Sequence, residues 1–224
     1  MAAARDVVHA LADAGLTVAT GESLTADLLA ARLADVPGAS AVLHGGVVAY
    51  QNAVKTGLLG VPEDLLARVG AVDADVARRM ALGARAALGA DVGVATTGVA
   101  GPEPHQGQPV GTVWLGLAVP DADANALDVL GGERDGAATA ILLRLDGDRA
   151  AIREATVAAA LQALTRLLAG RGADLCRKLG HGERLVTAEL IDPAGLVVGQ
   201  QQAQRSLGPA TGRGRRRRGR GRVG

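Results

Sequence analysis

Apolar side chains at Val7, Val8, Leu11 and Ala14 keep the spacing of one helix face, and Gly15 follows as a stop, so a helix is predicted over 3–14. The period then changes. The run LTVAT (16–20) reads as a short buried strand. After a polar turn, Leu28, Leu29, Leu33 and Val36 return to helical spacing until Pro37-Gly38. GGVVAY (45–50) predicts the next strand, 51–61 a turn or short helical piece, and Pro62 the start of a short helix. Asp73 is placed as an N-cap for a helix over 74–89. Strands are predicted over 90–98 and 110–119, on either side of a Gly- and Pro-containing loop, with further strands at 126–130 and 137–145. Asp148 can cap a last long helix, 149–169, whose apolar face carries Ile152, Val157, Leu161, Leu164 and Leu168.

Strands interleaved with helices predict an α/β fold, a three-layer α/β/α sandwich with helices on both faces of one sheet. The strands after residue 110 follow one another without a helix between them. That calls for antiparallel pairing, hence a mixed β-sheet. The pattern describes a single domain over 1–169. Beyond it the periodicity lapses, and 170–224 is expected to be a poorly ordered, Arg-rich C-terminal extension, with RLVTAELI (184–191) as a candidate edge strand.

Composition alters this picture in three ways. Apolar residues make up 48% of the 224, yet there is no Phe, one Tyr (Tyr50) and one Trp (Trp114), so the core must be built from Ala, Val and Leu. The single cysteine, Cys176, excludes an internal disulfide and a cysteine metal site. No apolar stretch is long enough for a signal peptide or a membrane span, which predicts a cytoplasmic protein without a membrane partner. The net charge of +1 is uninformative, but seven arginines crowd into 213–222. That tail could contact nucleic-acid phosphates, although no aromatic side chain accompanies it for base stacking. A solvated tail is the plainer reading, and a frameshifted C-terminus is another.

Candidate chemistry gathers where strands end. Gly21-Glu22-Ser23-Leu24-Thr25, Tyr50-Gln51-Asn52 with Lys55, and Thr96-Thr97-Gly98 with Ala100-Gly101-Pro102 are small, polar and turn-permissive. Layered α/β folds bind ligands at such ends. Each has a plainer reading: Ser23 or Thr25 could cap a helix, Tyr50 could fill the core, and Thr97-Gly98 could be a turn. Lys55, however, is one of only two lysines among 24 basic residues. Lysine can lose its proton when desolvated, whereas arginine effectively cannot. Together these residues point to a hydrolase with a serine nucleophile and a lysine base. Such a base needs its pKa lowered from about 10.4 toward roughly 7–8, which burial can supply. Amides at the start of the helix expected over 25–36 could hold the oxyanion. His9, His44, His105 and His181 share no pattern, which speaks against a Ser-His-Asp triad.

On these residues the chain resembles the C-terminal domain of the CinA family, the nicotinamide-nucleotide amidohydrolases. GESLTAD (21–27) is similar to the family's A-E-S-C-T-G-G. Its Y-x-N-x-x-K appears as Tyr50, Asn52 and Lys55, and TGVAGP (97–102), PVGTVW (109–114) and the GDR segment (147–161) match further motifs. The resemblance covers about residues 5–168. It implies hydrolysis of nicotinamide mononucleotide to nicotinate mononucleotide and ammonia, in pyridine-nucleotide recycling. It further implies Ser23 as nucleophile, Lys55 as base, and Tyr50 and Thr97 as polarising or orienting groups. Glu22, Thr25, Asn52, Gly98, Gly101 and Arg149 become candidates for binding substrate, with amides around Thr25 serving the oxyanion. No cofactor or metal is required, the partner is a small-molecule nucleotide substrate, and a homo-oligomer is expected.

Two departures stand out. The family's Gly-Gly is Ala26-Asp27 here, which would let a ligand approach the backbone less freely and places a negative charge nearby. Residues 121–140 look like a surface insertion in the usual hairpin. Larger family members also carry an N-terminal molybdopterin-binding-like domain that has no counterpart in this sequence. The rival class is a non-catalytic, competence-associated protein whose basic tail binds nucleic acid.

Overall fold

In the computed structural model the described backbone spans residues 2–178 and the described side chains residues 3–170. The elements follow the changes of period. They are α1 (Ala2–Ala14), β1 (Val18–Glu22), α2 (Leu28–Ala34), β2 (Leu43–Val48), α3 (Asn52–Leu59), α4 (Glu63–Val69) and α5 (Ala74–Leu88). Then come β3 (Val92–Gly98), β4 (Thr112–Ala118), β5 (Glu133–Asp135), β6 (Ala138–Arg144) and α6 (Arg149–Lys178). The caps lie where side-chain chemistry asks for them. Asp73 Oδ1 accepts from the Asp75 amide at 2.8 Å, and Asp148 Oδ1 from the Ala151 amide at 2.9 Å.

Six strands form one mixed sheet in the order β2-β1-β3-β4-β6-β5. β1 pairs parallel with β2 and β3, and the remaining neighbours pair antiparallel. The three-layer arrangement expected from the pattern is the one found. Side chains alternate along each strand, so the two faces of the sheet differ. Val18, Val92, Val94, Leu115 and Leu117 pack with α1, α2 and α6. Ala19, Ala95, Ala118 and Ala138 pack with α3, α4 and α5. On that second face α5 rides directly on the strand backbones. A Cβ at Gly93 would lie 2.0 Å from the Ala81 carbonyl oxygen, and one at Gly116 would lie 2.1 Å from that of Ala77. The alanine and glycine content of the chain therefore has a structural use: it lets a helix lie on a sheet at backbone contact.

The segment 126–130 is a correction. It belongs to a 3-10 helix, Asp121–Leu130, and not to a strand. Ala126, Leu127 and Leu130 are spaced as one helical face, and that face is buried in the α1/α6 layer. The expected surface insertion thus contributes to the core. The short strand β5 follows it and was not foreseen. Helix α6 runs past its expected end at 169 to Lys178. The edge-strand candidate 184–191 and the arginines of 213–222 lie outside the described residues. Among the described residues no helix is long and apolar enough to cross a membrane.

Candidate active site

Because β1, β2 and β3 run parallel, their C-terminal ends (Glu22, Val48 and Gly98) arrive at the same edge of the sheet. The loops that leave those ends, together with the first turn of α6, enclose a cleft of about 560 Å³. All three polar clusters picked out from the sequence contribute to it. Ser23, Tyr50, Asn52, Lys55, Thr97 and Arg149 are among its lining residues.

At the floor of the cleft is Lys55. Helix α3 turns Lys55 and Leu59, one turn apart, toward the interior, and Lys55 is only 1% exposed. Its Nζ lies 3.1 Å from Ser23 Oγ, 2.8 Å from the Ala49 carbonyl oxygen and 3.3 Å from that of Tyr50. All three partners are uncharged. Burial pushes the amine pKa down from 10.5 to about 8, because the charged form is desolvated. The geometry suits either protonation state. An ammonium donates to all three oxygens. A neutral amine keeps its two N–H bonds to the carbonyls and turns its lone pair to the Ser23 hydroxyl, which then donates. Moving a proton between Ser23 and Lys55 leaves no hydrogen bond unmade.

Ser23 is held by its own main chain, since its amide donates to the Thr96 carbonyl at 2.9 Å. Next to it Glu22 is equally buried, but its carboxylate faces away from the cleft. It accepts from the Leu29 amide at 3.0 Å, the Ala30 amide at 2.9 Å and the Thr20 hydroxyl at 3.0 Å. Glu22 thereby caps α2, whose N-cap residue Asp27 makes no side-chain cap bond. Two expectations are corrected by this. Glu22 is not a cleft residue, and the helix N-terminus proposed for the oxyanion begins later, at Leu28, with two of its amides bonded to Glu22. The Thr25 side chain is also behind the cleft wall, with its hydroxyl 2.7 Å from Thr96 Oγ1.

The departure at Ala26-Asp27 has a conformational meaning. Both residues have positive φ, 49° and 77°, the left-handed region in which glycine is at ease. Neither lines the cleft, so Asp27 adds no charge to its walls.

Thr97 and Tyr50 take narrower positions than expected. The Thr97 hydroxyl lines the cleft but donates to the Ala71 carbonyl at 2.6 Å, leaving only its lone pairs free. Tyr50 is 52% exposed at the rim, and it is the residue's carbonyl that meets Lys55. The Tyr50 hydroxyl accepts from Arg149 at 2.8 Å, and the same guanidinium donates to the Gly101 carbonyl at 2.9 Å. Arg149 thus bridges two walls. Asn52 lies at the first turn of α3, and Gly98, at the end of β3, and Gly101, on the loop after it, line the cleft. Gly98 is required by packing, since a Cβ there would lie 2.7 Å from the Thr112 carbonyl oxygen.

Two contributors were missed in the sequence. Gln106, on the loop after β3, accepts from the Ala71 amide at 2.9 Å, so Ala71 is held from both sides. Nothing in the local sequence marks it. Arg153 donates to the carbonyls of Leu24 and Thr25, at 3.0 and 2.6 Å. Its signal was present, four residues after Arg149 on one helix. His105 also lines the cleft, on that same loop.

A mixed α/β sheet with a half-buried serine set on a buried lysine at the C-terminal ends of its parallel strands defines a class of protein, and the comparisons narrow it. The model of the CinA C-terminal domain matches residues 1–168, and the chain belongs to this family. It is 48% identical over 164 residues to a CinA-like protein of Frankia casuarinae, a match covering 73% of this chain and 34% of that protein. A CinA-like protein of Geobacter sulfurreducens is 44% identical over 163 residues, covering 72% and 36%. The chain therefore spans about a third of the length of these curated relatives. Among solved structures, a CinA superfamily protein from Klebsiella pneumoniae superposes with a TM-score of 0.67 at 30% identity, covering 75% of this chain and 96% of that one. The competence/damage inducible protein CihA from Agrobacterium tumefaciens gives 0.64 at 36% identity, covering 74% and 93%.

Proposed function

We propose that this domain is an amidohydrolase that deamidates nicotinamide mononucleotide to nicotinate mononucleotide and ammonia. The observation that carries the reading is the 3.1 Å contact between Ser23 Oγ and a buried Lys55 Nζ at the floor of a cleft. The choice of substrate rests on the family resemblance.

The neutral Lys55 amine takes the Ser23 proton as Oγ attacks the carboxamide carbon. The ammonium so formed returns the proton to the leaving nitrogen, and ammonia departs from an acyl-serine. Water, deprotonated by the same amine, then attacks the acyl carbon, and the carboxylate is released with the serine restored. The Ala49 and Tyr50 carbonyls hold the amine in register through both steps. Arg149, with the Tyr50 hydroxyl, supplies a cationic rim for the anionic end of the nucleotide.

Ammonia release from nicotinamide mononucleotide, measured beside pyridine carboxamides lacking the ribose phosphate, tests this reading. Ser23→Ala should lower turnover by about 10³-fold or more. Undiminished turnover in that variant would remove Ser23 as nucleophile, and turnover of the free carboxamides alone would overturn the nucleotide.

A further inference from the structure

Helix α6 carries two arginines one turn apart, flanking Ile152, which is buried with Leu24, Ala100 and Val113 under the cleft. Arg149 reaches outward to the rim. Arg153 reaches inward, and both of its partners are main-chain carbonyls of the turn that follows Ser23, those of Leu24 and Thr25. That turn has reason to need support. Ala26 and Asp27 hold left-handed φ, 49° and 77°, without being glycine, a conformation that L side chains resist.

The bond pattern gives the contact a further effect. Among the described residues the sole cis peptide is Gly101-Pro102, so the peptides after Leu24 and Thr25 are trans and planar. The Leu24 carbonyl shares its plane with the Thr25 amide, and the Thr25 carbonyl with the Ala26 amide. Fixing the two carbonyls on a guanidinium fixes those two N–H groups in the opposite direction, and the cation strengthens them as donors. Around the turn the Ser23 amide is bonded to Thr96 and those of Leu29 and Ala30 to Glu22, and the Thr25 carbonyl also accepts from the Leu28 amide at 3.3 Å.

We infer that Arg153 is a positioning residue for the Ser23 chemistry: it holds and polarises the 24–26 turn and so keeps Ser23 Oγ in register with Lys55 Nζ. This rests on the amidohydrolase reading. It assigns to α6 a part in the reaction step that is distinct from the binding role of Arg149.

The experiment compares the full chain with Arg153→Gln, Arg153→Lys and Arg153→Ala, the last with and without millimolar guanidinium. Steady-state ammonia release gives kcat and KM, and thermal unfolding reports folding. Arg153→Gln should lose about 10–100-fold in kcat with KM changed by less than about threefold, the mark of an interaction made in the transition state. Arg153→Lys should recover part of the loss, since one ammonium can reach one carbonyl. Guanidinium should partly rescue Arg153→Ala, a recovery that a purely structural role would not give. A folded Arg153→Gln with wild-type kcat, or with an altered KM alone, overturns the inference. If that variant does not fold, wild-type kcat in a folded Arg153→Lys, or a folded Arg153→Ala without rescue, overturns it instead. Absence of turnover in the wild-type protein is the separate result by which the amidohydrolase reading itself fails, and the inference falls with it.

Discussion

Glu22 and Lys55 are buried to the same degree, each 1% exposed, on either side of Ser23. Their surroundings differ in kind. The carboxylate meets three donors: two helix amides and a hydroxyl. The amine meets two carbonyls and the serine hydroxyl, and burial lowers its pKa to about 8. Glu22 has been given the partners its charged form wants, and it ties a helix to a strand. Lys55 is satisfied as a neutral amine almost as well as when charged, so its proton is easily given up. Burial alone does not mark a reactive group; what marks it is whether the buried charge is compensated.

The largest test of this contrast is Lys55→Met. It keeps the bulk of the side chain and removes the base, and ammonia release should fall by about 10³-fold or more while the protein stays folded. Next is Glu22→Ala, which strips the acceptor from the α2 amides. Chemical denaturation should show a loss of about 4 kcal/mol, with far smaller effects on turnover of the molecules that remain folded. A Glu22→Ala protein of undiminished stability would erase the distinction.

The third test uses pH. Lys55 has a folded pKa near 8, below its ordinary 10.5. Between those values the unfolded chain binds more protons, so stability must rise with pH across that window. The desolvation penalty is fully present below pH 8. The rise, about 3 kcal/mol at most, should be absent from Lys55→Met in paired denaturation curves. The rising limb of kcat/KM should likewise lie near pH 8, because the neutral amine is the working form. The smallest effect is expected at the turn. Ala26→Gly should raise stability by about 1 kcal/mol, because glycine accepts the left-handed φ that alanine resists.

Much of the fold could be read from the sequence because its signals are local. The change from 3.6 to 2 residues per period located the helices and strands, and Asp73 and Asp148 announced their caps. The miss at 126–130 arose because a short apolar run serves a strand and a helical face equally well until packing decides. The site was legible to the extent that it sits on strand ends. Ser23, Lys55 and Arg149 could be located from that rule and the motifs, but the direction in which each side chain points could not. Glu22 lies beside Ser23 in sequence, and strand alternation sends its carboxylate to the other side. Thr97 spends its proton on Ala71, a residue 26 positions away that no motif connects to it. Gln106 had no signal at all, since its effect depends on where a loop folds back.

The contact of α5 with the sheet sets the terms on which this protein can vary. At Gly93 and Gly116 the opposing atoms are carbonyl oxygens of the helix backbone, which have no alternative rotamer to adopt. A methyl gained there can be accommodated only by lifting the helix as a whole. Drift in that layer is therefore open in one direction, toward fewer atoms, while the valine and leucine layer across the sheet can exchange shapes of similar volume.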